Sequence, residues 1–458
     1  MPWSPSGIGR NDLVLLVDEA GLGLTTTHWP LPLTSVIRAV DALPAALPPA
    51  LDAARARLRL ELGAQQSAAL SVSLRGRNDA LAGYGDDATP GSSATLRSPA
   101  WEHDFVAAQA AVRVDANGGT DGGSKLGLEG SALATEAFGV QLQAFSHRSW
   151  WGPGWQSSLV LSNNAPALDG IGIQRASASR SESPWLAWLG PWSFETFVAR
   201  TDTGGEPAHP LFLAQRLTLR PFDGLEIGLT RTAQWGGHGR PHSLRSFGNV
   251  LVGRDVNADT PGEQATDPAN EMAGYDLRWR CPAGASCAIY GQLIGEDEAG
   301  LLPSKFLGLY GIEFWSADGG WRQFVELAET GCRMPVGRSG DPGCAYRNHA
   351  YPDGYTNDGR WLGASVGPDS RLLSWGWLDA ARAASLRLSY GTLGAQIGRF
   401  TPTDPATRGH LVGVSASRRW TWQSVSIVPQ LDWTRVARGD DASNQVRVGV
   451  QFSVELGR

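Results

Sequence analysis

Hydrophobic and polar residues alternate with a period of two over most of this chain, most cleanly in residues 445–456. Val446, Val448, Val450, Phe452, Val454 and Leu456 fall on one face of an extended strand, and Gln445, Arg447, Gly449, Gln451, Ser453 and Glu455 on the other. The pattern recurs in residues 211–220, where Leu211, Leu213, Leu217 and Leu219 oppose Arg216 and Arg220. In residues 423–433, Val425, Ile427, Leu431 and Trp433 oppose Ser424, Ser426, Gln430 and Asp432. An antiparallel sheet with one wet face gives this alternation, and so does a transmembrane barrel with an apolar outside and a polar lumen. Roughly 18 to 20 such segments exceed an ordinary sandwich and fall within the range of outer-membrane barrels. Long polar stretches at residues 77–100, 236–270 and 331–358 each follow an odd-numbered strand in this count, which makes them extracellular loops if the N terminus is periplasmic.

The first 65 residues break the pattern. Residues 11–20, 33–43 and 48–62 have helical length and composition. Asn11 is the expected cap of the first helix and Gly21 its end; Thr34 or Ser35 opens the second, and Pro48-Pro49 fits the first turn of the third. The expected organisation is therefore a small N-terminal α-helical subdomain, residues 1–65, on the periplasmic side of an all-β transmembrane antiparallel β-barrel of about 18 strands, residues 66–458.

Composition agrees with strands and turns: among 458 residues there are 57 Gly and 19 Trp but only 3 Met, and 18% of the chain is charged. Mean hydropathy is −0.21, and no apolar run reaches the roughly 18 residues of a membrane helix. A net charge of −6 lacks the basic footprint that nucleic acid requires. Met1-Pro2-Trp3-Ser4-Pro5 has no basic segment followed by an apolar one, so a secretory signal is expected to have been removed. The four cysteines form two close pairs, Cys281 with Cys287 and Cys332 with Cys344. Two local disulfides in an oxidising compartment are the expected arrangement; a four-thiolate metal site is the alternative, although the spacing is not that of a zinc knuckle.

The run Ser149-Trp150-Trp151-Gly152-Pro153-Gly154-Trp155, continuing to Asn163-Asn164, crowds three indoles against a rigid bend and paired amides. Indoles stack on the C–H faces of pyranose rings and Asn offers both donors and acceptors to hydroxyls; the same residues also describe a tight aromatic corner. This run closely resembles a signature of the Wzi capsule-assembly family. Asn11-Asp12-Leu13, Thr27-His28-Trp29-Pro30, Gln234-Trp235-Gly236-Gly237-His238 and Tyr290-Gly291-Gln292-Leu293-Ile294-Gly295-Glu296-Asp297-Glu298 carry the same resemblance in the family's order, whereas nothing after about residue 330 does. The resemblance implies an outer-membrane barrel that acts as a lectin for capsular or other surface polysaccharide, surrounded by outer-membrane lipid, monomeric, with no nucleic-acid partner and no cofactor. Trp150, Trp151, Trp155, Asn163, Asn164, Trp235, Glu296 and Asp297 are the candidate sugar contacts. Arg148 and Arg175, with His147, are candidates to pair with uronic acid carboxylates.

Two other function classes stay open on the residues. A polar lumen also suits a pore for small solutes. Glu296-Asp297-Glu298 beside tryptophans also suits a glycosidase, although adjacent strand residues point to opposite sides and the common hydrolase motifs are absent. Asp255-Val256-Asn257-Ala258-Asp259 has alternating oxygen ligands but lacks the glycine and the twelfth-position carboxylate of a calcium loop; His238 and His242 sit four apart in a loop. The enzymatic and metal readings are the minor ones. The chain closes on Val454-Glu455-Leu456-Gly457-Arg458, with Leu456 where outer-membrane strands usually carry an aromatic residue.

Overall fold

The computed structural model describes the whole chain except residues 104, 117–122, 202–206, 241, 253–268, 283, 297, 300, 301, 304, 335–341, 349, 401–407, 457 and 458. Long strands pair antiparallel with their sequence neighbours along most of the chain, and the last of them, Asp441–Leu456, pairs with the first, Ala68–Arg75, from Leu456↔Ala68 to Gly449↔Arg75. The fold is a β-barrel. Its alternation is as read from the sequence: Val446 and Val448 are exposed on the outside, and Arg447 turns inward to donate to Asp432 at 3.0 Å. Arg216 likewise faces in, donating to Asp276 at 2.7 Å and Thr230 at 2.6 Å.

At one end the strands are joined by short turns, such as those between Leu211–Phe222 and Leu225–Trp235, Phe306–Trp315 and Trp321–Met334, and Arg371–Asp379 and Ala384–Leu393. The described residues of the second and third long polar stretches follow strands that run to the opposite end, as do residues 77–92 of the first; Ser93–Arg97 is itself a barrel strand, and it runs back until Ala100 N–H donates to the Gln65 carbonyl at 3.2 Å, so the expected first loop is shorter than residues 77–100. Trp101, Trp279, Trp321, Trp420 and Trp422 are exposed around the short-turn rim, the position of an interfacial aromatic girdle.

Three helices sit at the short-turn end: α1 (Gly7–Glu19), α2 (Leu33–Asp41) and α3 (Pro49–Ala64). Helix α1 starts a turn earlier than its residues suggest, because the Ser6 hydroxyl, not Asn11, caps it by accepting from Gly9 N–H at 3.1 Å. Asn11 lies inside the helix, where its side-chain oxygen accepts from Arg322 at 2.9 Å. Helix α2 has Pro32 at its N-cap and no side-chain cap bond, so neither Thr34 nor Ser35 serves there. Pro49 occupies the first turn of α3 as expected.

The helices are bound to the barrel through ion pairs. Arg278 donates to Asp18 at 2.9 and 2.7 Å and also to Glu313 at 2.7 Å; Arg280 and Trp315 both donate to Glu19. Leu13, Leu16, Val36 and Leu58 share one buried core with barrel residues such as Phe197 and Phe324 and with inward-folded loop residues such as Trp155 and Trp361. The cysteines are joined as Cys281–Cys287 and Cys332–Cys344.

Candidate functional site

The tryptophan run lies inside the barrel, where the short strand Trp150–Trp151 pairs with His28–Trp29, so two of the family-like motifs hydrogen-bond to each other. Trp150, Trp151 and Trp155 are 1%, 0% and 4% exposed. Tyr84 meets Trp29, Trp150 and Trp155 edge-on at 6.1, 5.4 and 6.4 Å. Arg10 of α1 lies 4.4 and 4.1 Å from the ring centres of Tyr84 and Trp155 and donates to the Pro153 and Gly154 carbonyls, each at 2.7 Å.

The barrel wall grips the same corner. Trp155 donates its indole N–H to Glu313 at 2.7 Å, and the backbone N–H groups of Trp155 and Ser157 both donate to Glu326 at 2.7 Å. Gln292 donates to the Trp151 carbonyl and accepts from Leu159 N–H, both at 2.9 Å. Gly152 sits at φ 142°, and a Cβ there would come within 2.8 Å of the Gln292 amide, so only glycine fits. The expected sugar platforms are thus packed against protein on their faces, because inward loops and α1 fill this part of the lumen. What the run does locally is fix the inner wall.

Beside it lies a polar cleft of about 330 Å³, within the usual range of ligand pockets, which Arg148, Trp150 and Asn163 help to line. Its floor is Asp87, which pairs with Arg75 and Arg113 at 2.8 Å and with Arg148 at 3.0 Å. Burial pushes the Asp87 carboxyl up, but the guanidiniums of Arg148, Arg113 and Arg75 outweigh it and hold the group well below the usual carboxylate range. Arg148 also pairs with Glu129 at 2.9 Å, and Arg113 with Asp115 at 2.6 Å. Ser71, Ser73, Thr95 and Gln451 complete the wall from strand positions that face inward. Charges of both signs, hydroxyls and an amide together offer donors and acceptors at short intervals. Sequence reasoning missed Arg75, Asp87 and Arg113. The inward parity of Ser71, Ser73 and Arg75 was readable, but not that Asp87 folds back to meet them.

The remaining candidates are scattered. Asn164 donates to the Trp361 and Gly398 carbonyls at 2.7 and 2.9 Å, so its amide is engaged in loop packing. Arg175 lies at the far end of the strand Leu168–Arg175 from Arg148, where it donates to the Trp192 carbonyl at 2.8 Å and lies 4.2 Å from that ring, so the two arginines are not brought into one site. His147 stacks on Phe145 at 4.0 Å. Trp235 is 2% exposed in a separate small cluster with Phe247 and Val250. Glu296 accepts from Tyr346 N–H at 2.6 Å. Asp297 and the segment 255–259 lie outside the described residues. Among the described residues no three His, Cys, Asp or Glu side chains gather as a metal site.

The family model described as capsule assembly protein Wzi matches residues 55–445. The chain belongs to the Wzi capsule assembly family. A Klebsiella pneumoniae relative, an uncharacterised 55.8 kDa protein in the cps region, is 30% identical over 341 residues, covering 71% of this chain and 64% of the relative's own length. The solved Wzi of Escherichia coli, described as a carbohydrate-binding outer-membrane β-barrel involved in group 1 capsule assembly, superposes over 100% of both chains with a TM-score of 0.83 at 24% identity. Membership of the Wzi family therefore rests on the sequence match, and the barrel on the structural one.

Proposed function

We propose that this protein is an outer-membrane β-barrel that binds a capsular or other surface polysaccharide and helps to hold it at the cell, without turning it over. The carrying observation is the cleft beside Asp87, where three arginines, two further carboxylates and the wall hydroxyls converge next to Trp150. Sugar hydroxyls both donate and accept, and arginine recognises sugar carboxylates in a planar, two-bond geometry. Membership of the Wzi family and the likeness to a carbohydrate-binding barrel support the same reading. Individually weak contacts add up along a repeating polymer through effective concentration.

The apolar outer face and the tryptophans on the short-turn rim support a membrane setting, with the helices on the periplasmic side because short turns face the periplasm in such barrels. The site residues in this reading are Arg75, Asp87, Arg113, Arg148 and Asn163, with the buried Trp150 backing the wall. In the source bacterium, deletion of the gene is expected to release polysaccharide to the medium at unchanged total, and restoring it to reverse the release. An unchanged ratio of cell-associated to released polymer would refute the attachment role.

A further inference from the structure

The outer wall carries a second feature at the long-loop end. The cross-strand pairs Arg371↔Thr392, Thr392↔His410 and His410↔Ala437 form one row across four strands, roughly 14 Å wide. All four face outward, as the exposed Leu373, Tyr390 and Val412 two residues further along the same strands show. A groove of about 400 Å³ runs along this rim, lined among others by Arg333, Arg408, Thr392 and His410.

Its charge is unbalanced. Glu329 is occupied by Arg371 at 2.8 Å, with Arg333 3.9 Å away, and Asp369 accepts from Gly343 N–H at 2.9 Å. The side chains of Arg408, His410 and the outward-facing Arg435 make no hydrogen bond or ion pair among the described residues. The next row, Leu373↔Tyr390↔Val412, is apolar up to Arg435, and the one below it, Trp375↔Leu388↔Val414↔Trp433, is apolar throughout. A cationic rim directly above an apolar wall matches an amphiphile whose anionic head lies at the height of the rim.

We infer that this groove binds the phosphorylated headgroup of a glycolipid in the membrane leaflet at the long-loop end, a site distinct from the lumenal cleft. The inference rests on the barrel spanning a membrane and not on polysaccharide binding. Arginine pairs with phosphate through two parallel hydrogen bonds, and the acyl chains would lie along Tyr390, Val412 and Leu388.

The test uses the full chain purified in a mild detergent and titrated with bisphosphorylated lipid A, its dephosphorylated form, inorganic phosphate and a soluble acidic polysaccharide, with bound ligand counted by native mass spectrometry. Retention of lipid A but not of its dephosphorylated form is expected, with about 30-fold weaker retention in the double variant Arg333→Gln/Arg408→Gln. Arg418→Gln, an exposed arginine at the opposite end of the strand Gly409–Arg418, serves as the control and is expected to bind as the unmodified protein does. Equal retention of both lipid forms, or undiminished binding by the double variant, would overturn the site. Full displacement by inorganic phosphate would assign it to a free anion, and displacement by polysaccharide to the polymer; either would also overturn it. All four outcomes leave the lumenal reading to its own test.

Discussion

The strand Asp441–Leu456 and the inward segment 149–164 were equally prominent in the sequence, yet they differ in how far residue types alone determine what each does. In the strand, parity decides everything: Val448 is 63% exposed to the outside and Arg447 is 2% exposed inside. In the inward segment, three tryptophans are as buried as any core residue, because Arg10, Tyr84, Glu313 and Glu326 come from distant parts of the chain to cover them. A period needs only the strand itself to be interpreted. An aromatic cluster needs to know what stands opposite, and in a filled barrel that is protein.

The strongest way to break this comparison is electrical. If the inward segments and α1 fill the lumen, the protein in planar bilayers passes almost no current; conductance on the scale of an open barrel of this size would show that the segment leaves the lumen and would restore the pore reading. Next is Trp151→Ala. Its ring meets Trp151-facing partners His28 at 5.8 Å and Phe197 at 5.6 Å, and its loss is expected to cost about 3–5 kcal/mol in denaturant unfolding. A variant of unchanged stability that lost polysaccharide binding would make the run a binding surface after all.

The strand half of the comparison is sharpened by Val450→Arg, expected to cost about 2–4 kcal/mol on the lipid face near the bilayer midplane. Gln451→Arg, one residue on, should leave folding intact because it points into the cleft. Equal tolerance of both would contradict the assignment of Val450 to the lipid face and Gln451 to the lumen. The smallest effect concerns pH. Asp87 is held below its ordinary value of about 3.9, so its stabilising share is full above that value and is lost as pH falls through the lower folded one. Acid unfolding of the unmodified protein should therefore be steeper below about pH 4 than that of Asp87→Asn, and identical acid curves would remove Asp87 as the floor of the cleft.

How much was legible follows from the same distinction. Strand faces such as Val425, Ile427 and Leu431 against Asp432, the three helices, and both cysteine pairs could be read because each depends on neighbours within a few residues. The cap of α1 was misplaced because Gly-Ile-Gly reads as a loop, while in the structure Gly9 leaves room for the Glu61 carboxylate, which accepts from Ser6 N–H at 2.6 Å. The cleft was only partly legible. Arg148 and Asn163 were found through the motif beside them, whereas Asp87 and Arg113 belong to a loop and a strand whose meeting no local pattern records. Gln292 shows the limit most clearly: it stood in a motif with no assigned role, and the structure uses it on both sides of the tryptophan corner.

The most direct measurement is equilibrium binding of the purified surface polysaccharide of the source bacterium to the unmodified protein and to Thr95→Trp, whose side chain would project from the wall into the cleft. With folding checked by circular dichroism, the account predicts saturable binding by the first and at least about tenfold weaker binding by the second. Equal affinity in both would place the polymer elsewhere and contradict the lumenal site.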